Sequence, residues 1–216
     1  MLTENEINSI YSVENKKNQL FLKRIADFVL SLIGIIILSP IFLIIIIVIK
    51  LNSKGPSIFK QTRVGLKGKK FTIYKFRTMI INADSKRKLE IDPLDLANFV
   101  FQSKIDNRVT SVGNFLRKTS LDEIPQLFNV LFGNMSLVGP RPEIPEVVKF
   151  YTENYKLRLI VKPGITGLAQ ISGRGEIELG RTVSYDLEYI KNFSLRFDFK
   201  ILIKTFLKVF KNEGAF

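Results

Sequence analysis

The sequence predicts an α+β protein in which a long apolar helix near the N-terminus precedes a small domain of short strands and helices. Three observations carry this. Residues 25–49 read IADFVLSLIGIIILSPIFLIIIIVI, with Asp27 the single charge. Two β-rich runs, SIFKQTRV at 57–64 and FTIYKF at 71–76, flank a GLKGKK turn. Helical patterns dominate from Val112 onward, punctuated by Gly and Pro.

The apolar segment comes first in the chain. Its 25 residues would measure roughly 37 Å as a straight helix, longer than the ~30 Å hydrocarbon core of a bilayer. It is apolar all round, unlike the one-sided helices of a soluble core. It starts too late, runs too long and has no small-residue cleavage site, so it is no cleaved signal peptide. Both flanks are basic, with Lys16, Lys17, Lys23 and Arg24 before it and Lys50 and Lys54 after. Charge therefore assigns no orientation. Ser39-Pro40 interrupts the middle and predicts a kink. A single span with a tolerated proline and a helix that dips into one leaflet and returns both satisfy these facts.

Residues 51–216 carry 28 Lys/Arg and 16 Asp/Glu, so most of the net charge of +13 belongs to the part after the membrane segment. Such a domain belongs on the cytoplasmic side and faces phosphates, polyanions or acidic headgroups. Beyond the two strands, helices are expected at Val112–Lys118, Asp122–Phe132, Pro145–Tyr155, Ile177–Lys191 and Leu195–Phe210. Met135–Val138 is a short apolar piece, and Lys162–Gly175 reads as a Gly-rich loop. Ile81–Ser103 is polar and irregular. The last helix is amphipathic, with Lys200, Lys204 and Lys208 recurring every four residues. It suits either a membrane interface or core packing.

There is no Cys, His or Trp. That excludes disulfides, thiolate nucleophiles, Cys/His zinc sites and imidazole acid–base catalysis. Chemistry must rest on oxygen nucleophiles, cations or an oxygen-bound metal. Asp122-Glu123, in TSLDEIPQL, are adjacent carboxylates in a basic protein. Ser120 and Glu123 match a capping box, and Asp122 could be an N-cap with Pro125 in the first turn. A carboxylate at a helix N-terminus also stays ionised and can bind Mg²⁺ or attack phosphorus. Lys75-Phe76-Arg77, Arg117-Lys118, Gly139-Pro140-Arg141-Pro142 and Ser172-Gly173-Arg174-Gly175 place cations at rigid or open turns suited to phosphate. Asp186 and Asp198 are candidate partners for these arginines. Neither a P-loop nor a dinucleotide fingerprint occurs.

These segments stand in a definite order: Lys23-Arg24-Ile25-Ala26-Asp27, Tyr74-Lys75-Phe76-Arg77-Thr78-Met79, Arg117 through Gln126, Ser136 through Pro142, and Lys162 through Gln170. In that order the chain resembles the bacterial sugar transferases, the monotopic polyprenyl-phosphate phosphoglycosyl transferases, over roughly residues 20–210. The resemblance implies transfer of a phosphosugar from a UDP-sugar to polyprenyl (undecaprenyl) phosphate in the bacterial inner membrane, with release of UMP. It implies Asp122 as nucleophile, Glu123 beside it, and Mg²⁺ held by the pair. Lys75, Arg77, Arg117, Arg141 and Arg174, with Asp186 and Asp198, would serve substrate binding. It further implies a re-entrant helix–break–helix turning at Ser39-Pro40. The expected fold is then α+β, with a polar segment at 1–22, the re-entrant helix at 23–50 and a cytoplasmic catalytic domain with interfacial helices at 51–216. With about twenty polar residues before the apolar run, it reads as a minimal form. The lipid bilayer is a partner, a homodimer is compatible, and nucleic acid is not expected. A membrane-tethered nucleic-acid-binding protein would explain the charge but lacks a recognisable motif. A non-catalytic scaffold of the same fold would not need the intact dyad.

Overall fold

The computed structural model describes residues 3–83, 91–100, 107–173 and 177–210. The polar N-terminus is ordered as helix α1 (Glu4–Tyr11), which the polar reading of residues 1–22 did not anticipate. Thr3 caps it, and Glu6 reaches back to the Thr3 amide in a full capping box. A 3₁₀ turn at Ser12–Asn15 leads into α2 (Lys17–Asn52). Ile10 and Val13 are buried against Tyr189, Ile190, Phe193 and Ile201, so the start of the chain is part of the domain core.

Helix α2 is long and apolar enough to cross a membrane. Ile36, Ile37, Leu43 and Ile44 are each at least 60% exposed, a surface that fits lipid rather than water. Its helical backbone runs through Pro40 without interruption. Pro40 has no N–H for the carbonyl of Ile36, and the Ser39 hydroxyl donates to that carbonyl instead at 2.8 Å. The Ser-Pro pair thus repairs the ladder it breaks. Both halves of α2 pack on the domain. Arg24 donates to the carbonyls of Val130 and Leu131 (2.7 and 2.9 Å), and Asp27 accepts from the Leu137 amide (3.0 Å). Past the proline, Phe42 meets Phe76 and Phe128 edge-on, and Ile45 and Ile49 are buried with Phe76 and Leu116.

Strands β1 (Ile58–Val64) and β2 (Lys70–Phe76) form the expected antiparallel hairpin, in register Ile58↔Phe76 to Val64↔Lys70. Its loop turns on Lys67 and Gly68, both at positive φ. Helix α3 (Ser111–Lys118) follows, then a 3₁₀ turn at Leu121–Glu123 and α4 (Gln126–Leu131). The side chain of buried Asn129 ties α4 to β2, donating to Thr72 O at 2.7 Å and accepting from the Tyr74 amide at 3.0 Å. Gly133, at φ 82°, ends this region.

The Lys162–Gly175 loop expectation is corrected. Strand β4 (Gly164–Thr166) pairs in parallel with β3 (Ser136–Val138), and helix α7 (Leu168–Ser172) follows. The glycines here permit backbone contact. A Cβ on Gly164 would stand 2.1 Å from the Gly139 nitrogen. The single helix expected at Pro145–Tyr155 is two, α5 (Pro145–Val148) and α6 (Glu153–Lys156), because Thr152 restarts the chain as an N-cap. Helices α8 (Leu179–Lys191) and α9 (Leu195–Phe210) complete the fold. Of α9, Ile201 is buried while Phe199 and Phe206 are more than 60% exposed, so the helix both packs and presents an apolar face.

Candidate active site

The dyad sits in the tight turn between α3 and α4. The capping box expected from Ser120 and Glu123 does not form. Ser120 adopts the left-handed conformation (φ 57°), its side chain makes no cap bond, and α4 starts later with Pro125 at its N-cap. The left-handed residue separates α3 from the turn, so Asp122 and Glu123 are presented on a 3₁₀ segment.

Glu123 is fixed by two cations. The Lys75 ammonium donates to Oε1 at 2.7 Å, and Arg141 Nη1 donates to the same oxygen at 3.1 Å. Lys75 comes from β2 and Arg141 from the loop after β3, so the turn is held between two strands. These cations keep the Glu123 carboxyl ionised far below the usual range despite its burial. Burial pushes the Lys75 pKa down, with Glu123 opposing, and Glu123 raises that of Arg141.

Asp122 is different. Among the described residues its carboxylate makes neither a hydrogen bond nor an ion pair. Burial raises its pKa to about 6; Lys75, Arg117 and Arg141 pull downward and Glu123 pushes upward. Two adjacent carboxylates thus have divergent environments, one clamped by two cations through a single oxygen and one free (a frequent sign of divided chemical roles).

The remaining sequence candidates fall in different places. Arg117, on α3, donates from Nε to the Thr78 hydroxyl at 3.0 Å. Arg77 is buried and bonds the carbonyls of Ser53 and Lys54 (2.8 Å each), closing the end of α2. Asp186 is buried against Arg158 at 2.6 Å. Asp198 pairs with Lys23 at 2.5 Å and accepts from the Tyr189 hydroxyl at 2.7 Å, fastening α9 to α2. Arg174 lies outside the described residues. The sequence reading missed Glu143, Tyr151 and Arg158. Arg158 is buried, donates to the Tyr151 hydroxyl at 2.6 Å and to the Arg141 carbonyl at 3.0 Å, and meets Glu143 at 3.4 Å. A charge embedded in the apolar run Leu157–Val161 was the available signal.

Two carboxylates, one with spare oxygens, suit Mg²⁺, which commonly takes one or two carboxylates and completes its shell with substrate phosphates. No cluster of three or more metal-binding side chains occurs among the described residues.

Comparison with known proteins gives the family. The family model described as bacterial sugar transferase matches residues 18–212. The chain is 43% identical over 205 residues to an undecaprenyl-phosphate galactose phosphotransferase of Salmonella typhimurium, covering 93% of this chain and 43% of that protein. It is 44% identical over 210 residues to a UDP-glucose:undecaprenyl-phosphate glucose-1-phosphate transferase of Klebsiella pneumoniae, covering 94% and 43%. It is 43% identical over 195 residues to an uncharacterised sugar transferase, EpsL, of Bacillus subtilis, covering 90% of each. The chain spans less than half the length of the first two. With almost its whole length matched by that family's model, the chain belongs to the bacterial sugar transferase family.

Proposed function

We propose that the protein transfers a phosphosugar from a UDP-sugar to membrane undecaprenyl phosphate, at the start of glycan assembly. The observation that carries this is the unbonded Asp122 carboxylate beside a Glu123 held by Lys75 and Arg141. The names of its relatives support the substrate classes.

In this reading an Asp122 oxygen attacks the β-phosphorus of the UDP-sugar. The bond from that phosphorus to the oxygen bridging the two phosphates breaks, and UMP leaves with the bridging oxygen. The phosphosugar is then held on Asp122 as an acyl phosphate. A phosphate oxygen of the polyprenyl carrier attacks the same phosphorus and expels the Asp122 carboxylate, giving the polyprenyl-diphosphate sugar. Lys75, Arg141 and Arg117 offset charge on the phosphates, which is most of what phosphoryl transfer asks of a protein. Asp122 and the second oxygen of Glu123 would hold Mg²⁺, which would supply further charge neutralisation.

The reading includes a re-entrant α2 with the catalytic domain on the cytoplasmic face. It is supported by where the ends of α2 go: α1 before it and β1 after it both belong to the same domain. As a straight rod, its 36 residues would separate them by roughly 54 Å. The test is UMP release from a panel of UDP-sugars with and without undecaprenyl phosphate. Donor alone should leave a phosphosugar mass on the peptide carrying Asp122; an unmodified peptide from protein active in turnover would end the covalent scheme.

A further inference from the structure

A second cationic site lies at the far end of α4 from the dyad. Gly133 ends that region at φ 82°, and a Cβ there would stand 3.3 Å from Arg24 Nη2 and 3.6 Å from Lys162 Nζ. The two cationic groups therefore flank one small gap, close enough for a single phosphate to touch both. Arg24 already spends one N–H each from Nη1 and Nη2 on the carbonyls of Val130 and Leu131, leaving others free. Among the described residues no carboxylate lies within ion-pairing distance of the Lys162 ammonium, which is half-buried. The counter-charge acting on it is Asp27, committed to the Leu137 amide, and Lys23 is committed to Asp198. Burial and the like charges of Arg24 and Lys23 accordingly push the Lys162 pKa down, against the pull of Asp27. Around this gap the surface is apolar and open: Phe21 and Phe132 are each 66% exposed, and Phe28, under the Arg24 guanidinium, is 45% exposed.

Half-buried cations sharing a gap beside exposed aromatics form a site for an anion whose remainder is hydrocarbon. We propose that Arg24 and Lys162, on either side of Gly133, bind the phosphate group of a membrane lipid, separately from the dyad. The shared chemistry is a lipid phosphate, whether of an anionic phospholipid or of a polyprenyl phosphate. The site is independent of the transfer reaction proposed above, because lipid retention is measured without a sugar donor.

The test is native mass spectrometry of the full chain in non-ionic detergent. Phosphatidylglycerol, phosphatidylcholine with the same acyl chains, polyprenyl phosphate and inorganic phosphate are the probes. The wild type should retain phosphatidylglycerol in preference to phosphatidylcholine. Lys162→Gln should weaken that retention about fivefold, the usual weight of one basic residue at an anionic surface, and Lys162→Arg should restore it. Polyprenyl phosphate competing with phosphatidylglycerol on equal terms would support the site and widen its occupants. Equal retention by wild type and Lys162→Gln, both with unchanged melting, would overturn the proposal. So would displacement of the lipid by an equal concentration of inorganic phosphate, which would make the occupant a soluble anion.

Discussion

The guanidinium of Arg158 is bonded to the main-chain carbonyl of Arg141 at 3.0 Å. Arg141 in turn holds Glu123 through its side chain at 3.1 Å. Arg158 is itself gripped by Asp186, Glu143 and the Tyr151 hydroxyl. A buried ionic network therefore ends at the loop that positions one clamp of the dyad. Such a network is weak evidence for stability gained, but breaking it strands its other charges.

Arg158→Met should destabilise the protein by about 3–5 kcal/mol, because Asp186 is left buried without its cation and Glu143 keeps only the 4.0 Å contact with Arg63. A urea-unfolding midpoint in detergent measures this. Arg158→Lys keeps the charge but loses the two-pronged donor geometry. It should slow UMP release in the wild-type background and have little further effect when Arg141 is already alanine. Additive losses in that double-mutant cycle would show that Arg158 does not act through Arg141.

Activity should rise with pH through about 6, the value to which burial lifts Asp122. The sign follows from the role: the ionised carboxylate is the attacking form, so rate is lost as protons return, tending to about tenfold per pH unit on the acid side. Substitutions of the neighbours should move this limb in opposite directions. Glu123→Gln removes a like charge and frees two cations, shifting the limb to lower pH. Lys75→Met removes the largest stabiliser of the Asp122 anion and shifts it higher. Initial rates of UMP release across pH decide both. Asp122→Asn should lower turnover at least about a thousandfold at any pH.

Much of this architecture could be read from local pattern. The hairpin, α3 and α9 follow from alternation and helical period, and Lys75, Asp122, Glu123 and Arg141 stood out beside Gly, Pro and each other. What escaped was decided across the chain. Helix α1 looked like a polar leader because its few apolar residues, Ile10 among them, find partners on α8 and beyond. The Gly-rich stretch read as a loop because its glycines serve contact between backbones, Gly164 against Gly139, rather than a turn. Asp186 looked like a partner for an arginine, and it meets Arg158, which the motif reading had passed over. Ser120 suggested a cap by spacing alone; its left-handed backbone removes it from that geometry.

Gly113→Ala should be damaging for a reason unrelated to helix propensity. A Cβ on Gly113 would stand 1.9 Å from the Thr78 carbonyl oxygen, so α3 would have to withdraw from the strand β2 exit. Arg117 rides on α3 and bonds Thr78 through its side chain, so the displacement reaches the site. Overpacking of this kind costs about 1–3 kcal/mol. Both the unfolding midpoint and UMP release should fall; unchanged values would mean that α3 is free to shift.

The topology of α2 can be tested directly because the chain has no cysteine. Ile10 and Val13 lie in the core with Tyr189 and Phe193, and Lys16 donates to the Phe193 carbonyl at 2.8 Å. Beyond the helix, β1 pairs with β2, which carries Lys75. Both flanks are thus fastened to one basic domain, which the proposed re-entrant reading puts on the cytoplasmic face. Single cysteines at exposed Glu4 and Lys54 should both resist a membrane-impermeant maleimide in intact cells and both react after permeabilisation. Labelling of one from outside and the other only from inside would make α2 a span and would require the α1 contacts to be absent in the membrane.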